Sequence, residues 1–213
     1  MLILNTDKLL LYAVTDRSYL NGKPLSIAVE EAILGGATMI QLREKELDLE
    51  NFIKTAIEIK RICSKYMVPL IINDNVQVCI SVDADGVHLG QGDMPLEKAR
   101  ELLGKDKIIG ITAKTIEQAK SAELNGADYI GCGAVFGTAT KNDAKKMELS
   151  TLNAICNSVS IPVVAIGGIS ADNVDLLQGS GISGAAVVSG IFARQDIRKV
   201  AQYLSERLRN IVK

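Results

Sequence analysis

Gln41, Arg43 and Lys45 occupy every second position at the end of an apolar run that opens with Met39 and Ile40. Alternate residues of a strand share a face, so the spacing predicts an amide and two cations lining one side of a sheet. Guanidinium, ammonium and amide groups together offer many donors to phosphate oxygens. Thr138, Thr140 and Lys141, in the polar stretch "FGTATKND", add more than a single monoester requires. Two carboxylates, Asp74 and Asp93, follow strand-like runs, and aspartates near phosphate donors suit Mg2+, a hard ion that prefers oxygen ligands and keeps several waters. The competing explanation, that these aspartates merely neutralise Arg43 and Lys45, fits the residue types equally well. Clustered cations with a chelated divalent ion are what a diphosphate needs.

Two glycine turns point to a second anion site. "AIGGIS" runs through Gly167 and Gly168 to Ser170, a candidate helix N-cap, and "AAVVSGIF" sets Ser189 beside Gly190. Backbone NH groups in such turns can face an anion without side-chain obstruction. The plain alternatives are that Asp16, Asn73 and Thr112 cap the helices that follow them, and that Arg17, Lys45 and Lys114 are solvated loop charges. Only convergence of these residues in space favours a site.

The elements that must position them alternate. Strand-like runs at 9–16, 39–45, 68–74, 85–90, 107–112, 128–133, 162–168 and 184–190 are separated by helix-like segments such as 49–66, 95–103, 116–124 and 195–209, with apolar residues three and four apart. Strand then helix, repeated about eight times, predicts an α/β fold, a single (β/α)8 TIM barrel spanning 1–213 as one domain. Active sites of that fold lie at the carboxyl ends of the strands, with phosphate often held after the seventh and eighth. Nothing resembles the GxGxxG turn of an open doubly wound sheet. With 24 Lys plus Arg against 25 Asp plus Glu, the net charge of −1 supplies no global field for nucleic acid or an anionic membrane. No apolar run reaches bilayer length and no signal peptide is apparent, so the protein is expected to be cytoplasmic. The four cysteines are scattered and His88 is the only histidine, which suggests neither a disulfide framework nor a zinc site.

"YAVTDR", "QLREK", "IINDNV", "DGVHLGQGDMP", "GITAKT", "GADYIGCGAVFGTATK", "VVAIGGIS" and "VVSGIF" occur in order over nearly the whole chain, and together they closely resemble the thiamine phosphate synthase family. The resemblance implies an enzyme that joins 4-amino-2-methyl-5-hydroxymethylpyrimidine diphosphate to a thiazole phosphate, releasing diphosphate. It further implies that Gln41, Leu42, Arg43, Glu44, Lys45 and Asn73 hold the pyrimidine diphosphate, and that Arg43, Lys45 and Lys141 act in catalysis. Asp74 and Asp93 would bind one Mg2+ per active site. Thr112 falls near the pyrimidine, where relatives often carry serine. Thr138, Ala139 and Thr140 would contact the thiazole phosphate, whose phosphate rests on Gly168, Val188 and Ser189. The partners implied are small molecules, with no nucleic acid and no membrane; a homo-oligomer is left open. A thiazole tautomerase-like relative would instead be expected to carry a histidine in place of Lys114. An isomerase or aldolase of sugar or indole phosphates would need a Schiff-base lysine, a part Lys45 could fill, or a paired acid and base, and a phosphate sensor would bind without turnover.

Overall fold

The computed structural model describes residues 4–137 and 147–212. Eight parallel strands, β1 (Leu11–Val14), β2 (Met39–Leu42), β3 (Leu70–Asn73), β4 (Gly86–Leu89), β5 (Ile108–Ala113), β6 (Tyr129–Gly133), β7 (Val163–Ile166) and β8 (Gly184–Val187), close in sequence order, with β1 paired to β8. Between them run α1 (Leu25–Leu34), α2 (Leu49–Lys65), α3 (Val76–Ser81), α4 (Leu96–Leu103), α5 (Ile116–Leu124) and α6 (Leu149–Cys156). Two more helices, α7 (Ser189–Phe192) and α8 (Ile197–Ile211), follow β8. The connection after β7 departs from the alternation: it holds only a 3-10 turn, Val174–Leu177, rather than a longer helix. None of the described helices is long and apolar enough to cross a membrane.

Most strands are shorter than their apolar runs suggest, because the polar residues at the run's end belong to the following loop, whereas β5 continues one residue past its run, to Ala113. Strand alternation divides the core in two. The outward residues, among them Leu11, Ile40, Leu42, Ile72 and Val87, pack in one continuous cluster with the inner faces of the helices. The inward ones, Tyr12, Val14, Met39, Ile71, Tyr129, Val164 and Ala186, form a separate cluster inside the barrel. Local chemistry sets the helix starts: Asp48 accepts from the Asn51 amide to open α2, Thr115 from Gln118 to open α5, and Asp196 from Lys199 to open α8. The barrel thus delivers the chain end of each strand to one rim.

Candidate active site

Gln41 is the third residue of β2; its buried amide nitrogen donates to Tyr12 Oη at 2.7 Å. Arg43 and Lys45 lie past the strand's last residue, Leu42, so the expected alternate facing along a strand holds for Gln41 alone. The chain leaves the sheet because the Arg43 amide donates to the hydroxyl of fully buried Thr15, at 3.0 Å. Leu42 packs wholly in the layer between strands and helices.

Charged groups converge where β1, β2, β3 and β4 end. Arg43 Nη1 meets Asp16 Oδ2 at 3.0 Å, both side chains mostly buried, and Arg43 Nε is buried with no partner among the described residues. Arg17, rather than standing free in solvent, donates to Glu44 Oε1 at 2.6 Å. Burial pushes the Glu44 carboxyl above its ordinary value, while the bond and charge of Arg17 pull the other way. Lys45 is ion-paired with Asp74. Asp74 follows β3 with φ 60°, a left-handed conformation that aspartate tolerates better than most residues. Asn73 Nδ2 holds its other carboxylate oxygen at 2.7 Å. Asp93 Oδ2 accepts the Gly90 amide at 2.7 Å. Partial burial raises the Asp93 carboxyl, and the neighbouring charge of Asp74 raises it further against the Gly90 hydrogen bond.

Capping accounts for less of this than residue type suggests. Asp16 does cap a 3-10 turn, Arg17–Tyr19, besides binding Arg43. Asn75 and Thr115, not Asn73 and Thr112, cap α3 and α5. Thr112 Oγ1 instead lies 3.0 Å from His88 Nε2, and Gln91 donates to the Thr112 carbonyl at 2.6 Å. The Lys114 amide donates to Gln118 Oε1, within the start of α5.

The two glycine turns lie against one another. Gly167 and Gly168 both have positive φ, 103° and 68°. A Cβ on Gly168 would fall 2.2 Å from the Gly137 carbonyl oxygen, so close approach of the loop after β6 requires glycine there. Ser170 does not cap a helix: its amide donates to Asn173 Oδ1, and the 3-10 turn starts after Asn173. Ser189 opens α7 directly behind Val188, and a Cβ on the next residue, Gly190, would fall 2.2 Å from the Ile169 carbonyl oxygen. Thr138, Ala139, Thr140 and Lys141 lie outside the described residues.

Asp74 and Asp93 together offer carboxylate oxygens of the kind Mg2+ takes, with like charge between them that a cation would relieve. Among the described residues no three His, Cys, Asp or Glu side chains gather around one point, so a metal here would complete its shell with water and substrate oxygens.

Residue types alone had not singled out Thr15, Tyr12 and Tyr129, and had left His88 without a role. Their signal was the period of two: Tyr12 shares the inward face of β1 with Val14, and His88 is the third residue of a four-residue strand.

A family model described as Thiamine monophosphate synthase matches residues 11–191. The chain belongs to the thiamine monophosphate synthase family. The matched span of this thiamine monophosphate synthase family member takes in every candidate residue, from Asp16 to Ser189. The thiamine-phosphate synthase of Clostridium acetobutylicum is 50% identical over 194 residues, covering 91% of this chain and 92% of that one. That of Fusobacterium nucleatum is 50% identical over 192 residues, covering 90% and 93%. The solved thiamine phosphate pyrophosphorylase from Pyrococcus furiosus superposes with a TM-score of 0.90 at 39% identity, over 98% of this chain and 99% of that one.

Proposed function

We propose that this enzyme couples 4-amino-2-methyl-5-hydroxymethylpyrimidine diphosphate to thiazole phosphate, forming thiamine monophosphate and diphosphate. The observation that carries the proposal is the gathering of Arg43, Lys45, Asp74 and Asp93 at one barrel rim, in a chain half identical to enzymes of that name. Arg43 and Lys45 bind the diphosphate, and Gln41, Asn73 and Thr112 hold the pyrimidine. Asp74 and Asp93 hold Mg2+, which supplies positive charge to the departing oxygens. Lys141, assigned by family resemblance, joins Arg43 and Lys45. Thr138 and Thr140 have the same warrant for the thiazole phosphate, whose phosphate rests on the adjoining turns at Gly168 and at Val188 with Ser189.

The electron-rich aminopyrimidine stabilises a cation on its exocyclic methylene, so the bond to diphosphate can break before the thiazole nitrogen attacks. The main task for the chain is then to stabilise the charge of the leaving group with donors already fixed in place. Asp16 and Thr15 fix Arg43 from two sides, at the guanidinium and at the backbone. No side-chain nucleophile is needed. The two anion sites hold the reacting atoms at close range, which converts an encounter into an effectively unimolecular step.

Incubation with both substrates and Mg2+ should yield thiamine monophosphate and diphosphate in equal amounts, and chelation with EDTA should stop the reaction. No product from folded protein would reject the proposal.

A further inference from the structure

Four hydrogen bonds inside the barrel join five side chains from five strands. Gln41 Nε2 donates to Tyr12 Oη at 2.7 Å; Tyr12 Oη lies 2.9 Å from Tyr129 Oη; Tyr129 Oη lies 3.0 Å from His88 Nδ1; and His88 Nε2 lies 3.0 Å from Thr112 Oγ1. Space for the rings comes from missing side chains. A Cβ on Gly110 would sit 2.0 Å from Tyr129 Cζ, and one on Gly131 2.9 Å from His88 Cε1. The mechanism above uses the two ends of this chain, Gln41 and Thr112, and none of its middle.

The bonds have a direction. An amide nitrogen only donates, so Tyr12 accepts from Gln41 and its own proton must go to Tyr129. Tyr12 and Tyr129 are 1% and 0% exposed, and leaving a buried hydroxyl proton unpaired costs about 1–3 kcal/mol. Tyr129 therefore passes its proton on to His88 Nδ1, which must carry a lone pair. The ring's proton then sits on Nε2 and is donated to Thr112 Oγ1, and the Thr112 proton is left for a ligand. At the other end, giving one Nε2 hydrogen to Tyr12 fixes the orientation of the Gln41 amide and leaves Oε1 as an acceptor. Burial raises both phenols above their ordinary pKa, so each keeps its proton at neutral pH.

We propose that Tyr12, Tyr129 and His88 are positioning residues that set the polarity of the pyrimidine site, an acceptor at Gln41 and a donor at Thr112. That pattern complements an aminopyrimidine, whose exocyclic amine donates and whose ring nitrogens accept. It opposes the 4-oxo analogue, in which a carbonyl accepts and the adjacent ring nitrogen donates. The proposal rests on the assignment of Gln41 and Thr112 to the pyrimidine, and it adds the reason this ring is chosen.

The opposite direction would require the Gln41 amide turned over, against its contact with Tyr12, and His88 protonated on Nδ1, so the His88 tautomer tests the assignment. Because His88 is the only histidine, nitrogen-15 NMR of the protein alone reports it without ambiguity. A proton on Nε2 and a bare Nδ1 are expected, and the opposite tautomer would overturn the proposal. Calorimetric titration with the 4-amino and 4-oxo pyrimidine diphosphates, in the presence of Mg2+, supplies the second readout. Wild type should favour the amino compound by about 100-fold or more, since a site built around hydrogen bonds rejects a mismatched partner strongly. Tyr129→Phe should lose about tenfold of that preference, as should Tyr12→Phe, which frees the Gln41 amide to turn over. Undiminished preference in both folded variants would refute the polarity role, because a purely structural network would change melting temperature alone. Selective pyrimidine binding without thiamine monophosphate formation would reject the proposed reaction and leave the polarity standing; failure of both compounds to bind would reject the assignment of the site itself.

Discussion

Asp16 and Asp74 hold the two rim cations in different surroundings, and the difference separates two substitutions. The Lys45–Asp74 pair is open, with side chains 44% and 26% exposed, and such pairs contribute about 0–1 kcal/mol. Lys45→Ala should therefore leave the urea midpoint almost unchanged while lowering kcat. The Arg43–Asp16 pair is closed, each side chain 15% exposed. Removing one partner of such a pair strands the other, at up to about 3–5 kcal/mol for a fully buried one. Arg43→Ala should accordingly lower both the midpoint and kcat, and equal stability of the two variants in urea titration would contradict this division. The thiols carry a pH prediction. Burial pushes Cys63 and Cys132 up to about 12, and Cys79 and Cys156 up to about 11, from 9.0. Between those values the unfolded chain binds fewer protons than the folded one, so stability should fall as pH rises from 9.0 through 11 and 12. Thermal melts across that range check the sign, and at pH 8 a thiol reagent should modify the folded protein far more slowly than the chain in urea.

At the scale of elements, all eight strands and the helices 49–66, 95–103, 116–124 and 195–209 were legible in the sequence, since apolar spacing reports burial directly. Strand ends were less legible. Arg43 and Lys45 continue the alternation of β2 by residue type, but Thr15 takes the Arg43 amide and ends the ladder, a contact between segments 28 residues apart. The segment after β7 misled for a similar reason: Ser170 looks like a cap, yet its amide is taken by Asn173. Tyr12, Tyr129 and His88 form a network only because the barrel brings β1, β6 and β4 face to face, and no local pattern announces that. The glycines of β5 and β6 belong to the same device. Gly110→Ala would drive a methyl group into the Tyr129 ring, 2.0 Å from Cζ, and overpacking of this kind costs about 1–3 kcal/mol. The melting temperature should drop by several degrees; an unchanged value would mean that the ring has room to move.

For the whole molecule, closure of the barrel turns residues scattered from Asp16 to Ser189 into a single rim, with cations and carboxylates after β1 to β4 and the glycine turns after β7 and β8. The convergence was expected from the fold, because the candidate residues fall in the last positions of the strand-like runs or after them in sequence. The neutralising pair expected as the competing explanation forms between Lys45 and Asp74, whereas the partners of Arg43 and Arg17, Asp16 and Glu44, were not legible, since they depend on which rim residues end up adjacent. The central claim is that this rim takes up negative charge as the bond to diphosphate breaks. Single-turnover release of diphosphate, at saturating pyrimidine diphosphate, thiazole phosphate and Mg2+, tests it most directly. Replacing Arg43 with alanine should slow that step by about 100-fold or more, the effect of deleting one fixed donor from a site of developing charge. A release rate equal to wild type, in a variant that remains folded, would contradict the claim.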